Sequence, residues 1–269
     1  MLYGDPAALL GADATITSDG ALDAQYPLTN LHDGLPTEVT RWTTNVETRT
    51  TWDHGAPVTI EGLMIVLHTF AAGATLKIQA NPTDAWGAPA FSQDVVVPAW
   101  SDHLPPNITV DLRGTLLATT GYRWTSLLKP AQANNHGIGE LLWIPEWIAL
   151  DHRCVWPVRR ADVRRISVNS TSHGVDHVID RRVRQERVRP RFPYLAAADR
   201  ARMLSLLRSA GADLGWPVVL NPDEVTSAEN HYVRFHPDSV KELEETLAFI
   251  DRSEVQLDLL EIQRGRPLS

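Results

Sequence analysis

The chain has 269 residues, 43% hydrophobic and 22% charged, which is the balance of a globular protein able to bury a core without staples. Its single cysteine, Cys154, excludes an intrachain disulfide, and no apolar run approaches the ~18–20 residues needed to span a bilayer. The net charge of −8 is unevenly split: residues 1–150 hold 6 of the 25 basic and 15 of the 33 acidic residues, which argues against a nucleic-acid-binding role for the first half.

In chain order, residues 1–150 read as β-structure. Gly62 to His68 is a continuous apolar run, as in a strand buried on both faces. Thr75 to Ala80 alternates with period two, and Asn81-Pro82 breaks it. Asp94 to Val97, Asn107 to Leu112, Gly121 to Leu127 and Gly139 to Ile144 complete a set of short strands with turn signals between them, which predicts a β-sandwich. No helix of three turns is predicted there. The start, Met1-Leu2-Tyr3-Gly4-Asp5, lacks a basic and apolar leader, so no secretory signal is expected. Residues 145–160, with Pro145, Trp147, Trp156 and Pro157, read as the passage between domains of residues 1–147 and 148–269.

The second half predicts an α+β domain. Strands are expected at Val163–Val168 and Val178–Phe192. A helix follows over Ala196–Ala210, with an apolar stripe and Gly211 as its stop. Strands at Trp216–Leu220 and His231–Phe235 lead to a short helix over Ser239–Ala248 capped by Ser239, and Glu254–Ile262 is the final strand.

Four segments carry a resemblance. Asn30 to Thr37 with its Asp33-Gly34 turn, followed by Arg41-Trp42, resembles the early signature of discoidin-like (factor 5/8 type C, galactose-binding-like) domains. Thr51 to Ile60 fits the family's strand pair around an aspartate–any–glycine step. Gly121-Tyr122-Arg123-Trp124 and Ile138-Gly139-Glu140-Leu141 match its closing strands. The resemblance covers about residues 20–147 and implies a jelly-roll sandwich whose end loops bind sugars. The segments "YPLTNLHDG" and "GATLKIQA" look like those of bacteriophage tail proteins. The second half resembles, in architecture alone, the ring-forming domains of phage distal-tail and baseplate proteins. That implies a trimeric or hexameric ring in the virion tail, assembled in the host cytoplasm, contacting other tail proteins and host glycans. It implies no membrane partner, and no nucleic acid except DNA passing through a lumen.

Candidate ligand contacts in predicted loops and strand ends are Trp86, Trp100, His103, Asn135 and His136, weighed against a core or subunit role for the aromatics. Asp33 and Glu140 stand where some discoidin-like domains hold structural calcium; the reading here is no metal and no cofactor. The histidines lack metal-ligand spacing, and neither a nucleophile elbow nor a phosphate loop is present, so an enzyme is not expected. Arg182, Arg184, Arg187, Arg189 and Arg191 form the densest charge run. The first reading is a subunit interface, the second a charge-protected edge strand and the third a DNA contact.

Overall fold

The computed structural model describes residues 1–269 except 7, 10–12, 34–37, 100–106, 133–135, 152–153, 156–157, 171–175, 222–229, 250–253 and 263–269; for 160–170, 176–186 and 249 it gives the backbone alone. The chain forms two compact units, Met1–Leu150 with Trp216–Tyr232, and Asp151–Gly215 with Val233–Arg266.

The first unit is mainly antiparallel β. Its strands are β1 (Leu2–Tyr3), β2 (Thr15–Ser18), β3 (Thr40–Arg41), β4 (Thr48–Val58), β5 (Gly62–His68), β6 (Thr75–Asn81), β7 (Phe91–Val96), β8 (Ile108–Asp111), β9 (Tyr122–Lys129), β10 (Gly137–Ile144) and β11 (Ile148–Ala149). Five form one sheet in the order β2-β4-β9-β6-β7, and four form another, β3-β10-β5-β8. A shared core holds them together: Trp52, Leu76, Ile78 and Leu127 from the first sheet meet Leu63, Ile65, Val110 and Trp143 from the second. Trp52 and Trp143 pack edge-to-face at 5.4 Å between centroids, the arrangement their quadrupoles favour. The β-sandwich expected for this half is therefore present.

Every residue of β5 and β10 is buried. The second face of their sheet is covered within the same unit. A Cβ on Gly4 would touch both Ile144 and Pro217, and Asn107 Nδ2 donates to the Asn230 carbonyl at 3.4 Å. β1 pairs with β11 and with the later strand β15 (Trp216–Val219). Trp147, read as part of the passage between domains, is buried here and its backbone N–H donates to Glu61 Oε2 at 2.8 Å.

The segment 51–60 corrects one expectation. It holds one bulged strand, not a strand pair. β4 runs through Asp53 and Gly55, with the register to β9 broken between Asp53 and Val58 and Gly55 at φ +73°. The short helix α1 (Leu116–Thr120) closes on Gly121 at φ +73° before β9 begins.

The second unit is α+β. β12 (Arg159–Ser170) and β13 (Asp176–Arg189) form a long hairpin, and β14 (Arg191–Phe192) follows. α2 (Ala197–Ala210) buries Met203, Leu206, Leu207 and Ala210, and ends at Gly211 with φ +56°, as predicted. Its fully buried Asp199 accepts the Asp151 N–H at 2.9 Å. α3 (Val240–Phe249) is preceded by a 3-10 turn, and the cap differs from expectation: the His236 side chain accepts from Asp238 N–H, while Ser239 lies inside the turn. The predicted final strand is two short pieces, β17 (Val255–Gln256) and β18 (Leu259–Glu261). β17 pairs with β14. β18 pairs with β13 and with residues Val233–Phe235 of β16 (Asn230–Phe235). Asp258 separates the two pieces, and its charge is used for another purpose described below.

Candidate glycan platform on the outer face of the sandwich

The register of the five-stranded sheet decides which side chains face outward. Residues directly opposite in an antiparallel pair share a face. Trp52 opposite Thr125 and Ile78 opposite Leu127 point to the core. Arg49, Thr51 and Asp53 of β4 therefore share the outer face with Leu128, Ser126 and Trp124 of β9 and with Lys77, Gln79 and Asn81 of β6.

The β6–β7 loop curls back onto this face. Asn81 organises it at both ends: its Nδ2 donates to the Ala85 carbonyl at 2.6 Å and its Oδ1 accepts from Ala90 N–H at 3.2 Å. Trp86 is thereby placed beside Arg49, whose guanidinium carbon stands 5.3 Å from the ring centroid. The indole N–H donates to Asp84 Oδ1 at 2.7 Å, and Arg49 Nη2 donates to Gln79 Oε1 at 3.2 Å. Arg49 is fixed from behind as well, because its backbone N–H donates to Asp19 Oδ1. Trp86 is half-buried and its partner Asp84 is exposed, so the indole is held in place without being enclosed.

Next along the same face is a second aromatic–arginine group. Trp124 lies opposite both Asn81 and Asp53. Arg123 grips Asp53 through two hydrogen bonds of 2.7 Å, and its guanidinium sits 5.5 Å from the Trp124 ring. The Arg123 hydrogen bonds hold the Asp53 carboxyl down at about 2, so it stays ionised across the neutral range. One sheet face thus combines two indoles, two guanidiniums, an amide and fixed carboxylates. The apolar C–H face of a pyranose fits an indole, and its hydroxyls fit these donors and acceptors.

The predicted ligand residues fare differently. Trp86 stands on this face. Trp100, His103 and Asn135 lie outside the described residues. His136 is corrected: it is fully buried, its ring 5.9 Å from Phe70, and burial followed by the nearby Lys129 charge pulls its pKa to about 4. It is a buried, neutral packing residue and not an exposed loop contact. Arg49, Gln79 and Asp84 were not singled out by sequence reasoning. The signal was present in the period-two polar run Arg49, Thr51, Asp53, which marks one strand face, although Thr51, Gln79 and Ser126 in the middle of that face are buried and only its rim meets solvent.

The arginine run also divides. Arg182 and Arg184 lie on β13, at positions where only the backbone is described. Arg187 Nε donates to Asp258 Oδ1 at 2.6 Å, Arg189 Nε reaches the same oxygen at 3.3 Å, and Arg191 pairs with Glu254. These three arginines have carboxylate partners within their own chain. Burial pushes the Asp258 carboxyl up, and the Arg187 and Arg189 charges outweigh it, leaving the carboxyl below its ordinary value.

Asp33 is exposed and Glu140 is buried. Both charges act on the Tyr232 phenol, which burial first and these carboxylates second push well above its ordinary value. No cluster of three or more His, Cys, Asp or Glu suited to a metal occurs among the described residues.

No family model matches the sequence, and no curated protein matches it. Several solved carbohydrate-binding modules are similar in structure. A fucose-binding module from Streptococcus pneumoniae is 13% identical, over 52% of this chain and 98% of that one, with a TM-score of 0.41. CBM32-1 from a family 31 glycoside hydrolase of Clostridium perfringens is 14% identical, over 52% and 99%, with a TM-score of 0.42. Chitosan-binding module 1 from a chitosanase/glucanase of Paenibacillus sp. IK-5 is 14% identical, over 53% and 98%, with a TM-score of 0.38.

Proposed function

We propose that this chain is a non-enzymatic structural and binding protein of a phage-like tail tip. Its sandwich presents the Trp86 platform to a glycan on a host surface, and its second unit joins copies of the chain into a ring beside other tail proteins. The observation that carries the binding half is the fixed but open indole of Trp86, held by Asp84 and Arg49 above the polar face of the sheet. A half-buried tryptophan held by hydrogen bonding and cation–π contact is pre-organised, so little conformational freedom is lost when a ligand stacks on its open part. The tail setting rests on the likeness of the segments Tyr26–Gly34 and Gly73–Ala80 to those of phage tail proteins and on the α+β character of the second unit. Recognition and assembly need geometry and buried area, so no catalytic group is assigned.

A glycan microarray probed with the full chain tests the binding half. Wild type is expected to bind a restricted set of glycans and Trp86→Ala to lose them. A wild-type chain that binds none removes the glycan from the proposal.

A second reading is a monomeric carbohydrate-binding module with an accessory unit. The pairing of Arg187, Arg189 and Arg191 with Asp258 and Glu254 favours it, because those charges are already engaged inside one chain. Solution mass separates the two readings.

A further inference from the structure

The β12–β13 hairpin is longer than the sheet that holds it. The two strands pair from Arg159 opposite Arg189 out to Ser170 opposite Asp176, whereas β18 reaches only Arg187 and Val188 of β13. Among the described residues, the hairpin from 160 to 186 pairs only with itself. A two-stranded ribbon is marginal by itself in water, and its edges offer rows of N–H and C=O groups to another chain.

Its charge narrows the occupant. Residues 159–189 carry nine arginines and four carboxylates. The register sets Arg159 opposite Arg189 and Arg164 opposite Arg184, and the irregularity between Arg164 and Ile166 gathers Arg165, Arg181 and Arg182 in one stretch. Like charges directly opposite destabilise a strand pair. Asp162 opposite Glu186, two residues along the ladder, offsets the Arg164–Arg184 pair but not the excess around it. Arg187 and Arg189 are paired with Asp258, and the seven remaining arginines still outnumber the ribbon's four carboxylates. Residues 1–150 have the reverse excess, 15 acidic against 6 basic residues, with Glu38, Glu47 and Asp94 exposed.

We infer that the ribbon is an assembly arm whose occupant is the acidic first half of a second copy of this chain. The contact joins two different surfaces, so repetition around an axis closes a ring when the rotation divides a full turn. This inference rests on the assembly half of the proposed function and names the surfaces that carry it.

The test is light scattering of the full chain across a concentration series. In roughly 50 mM salt, wild type is expected at an integral multiple of 29.9 kDa. It should dissociate toward monomer in roughly 500 mM salt, where surface charges are screened. Arg164→Glu with Arg184→Glu keeps a like pair across the ribbon, so its internal repulsion is retained while the sign shown to a partner reverses. That variant should be monomeric in low salt with an unchanged melting temperature. Should it fail to fold, the wild-type salt series still decides. An oligomer indifferent to salt, or kept by a folded double variant, overturns the arm and leaves assembly standing. A wild type that is monomeric throughout overturns both the arm and the ring but not the glycan platform. A monomer that binds duplex DNA in low salt replaces the second copy with nucleic acid.

Discussion

Lys129 is the least conventional residue in the sandwich core. The alternation of β9 points it inward, where it is fully buried. Its ammonium nitrogen stands 3.9 Å from the Trp42 ring centroid and donates to Thr50 Oγ1 at 2.6 Å. These contacts and the Asp19 charge do not offset the loss of water, so the pKa falls to about 7. The unfolded chain holds this proton up to about pH 10.5. Between the two values the unfolded state binds more protons, so stability rises with pH through that window and levels off below it. Lys129→Met is predicted to remove up to about 1.4 kcal/mol per pH unit of that slope, as read from denaturant unfolding between pH 7 and 10. An unchanged slope would show that the amine keeps its charge in the fold. Asn81 is the corresponding residue for the platform. Asn81→Ala removes both anchors of the Trp86 loop, and is predicted to weaken glycan binding at least fivefold while the core remains folded, as judged by circular dichroism.

Among the elements, those with clean periodicity were legible in the sequence: β6 from its alternation, β5 and β10 from their apolar runs, α2 from its stripe and Gly211 stop. β4 was read less well because its outer face is Arg, Thr and Asp and its bulge interrupts the period after Asp53. The split of the last strand was hidden because Asp258 alternates correctly by type, yet its carboxylate is committed to Arg187 and Arg189. Asp258→Asn leaves those cations without a full charge partner, and is predicted to cost about 1–3 kcal/mol and to speed amide exchange in β18 and the adjoining end of β13. Gly62 has a different constraint. A Cβ there would lie 2.7 Å from Trp147 Cε2, against a buried indole. Gly62→Ala is predicted to destabilise the first unit by about 1–3 kcal/mol in chemical denaturation; a neutral result would mean that Trp147 moves freely.

For the whole molecule, long-range connectivity was the hardest feature to read. Residues 216–232 belong to the first unit, and the strand pairing that puts Trp216–Val219 beside Leu2–Tyr3 links segments more than two hundred residues apart. No local pattern encodes such a partner. The platform was half legible for the same reason: Trp86 is conspicuous in a polar loop, but Arg49 and Gln79 join it only through the β4–β9–β6 register. The account depends most on whether that platform binds a glycan. Calorimetric titration of the strongest microarray glycan into wild type, Trp86→Ala and Arg49→Met tests this most directly. Loss of the stacking indole is predicted to weaken binding at least about tenfold, with a smaller loss for Arg49→Met. Equal affinity for wild type and Trp86→Ala would contradict the account and move any glycan site away from this face of the sandwich.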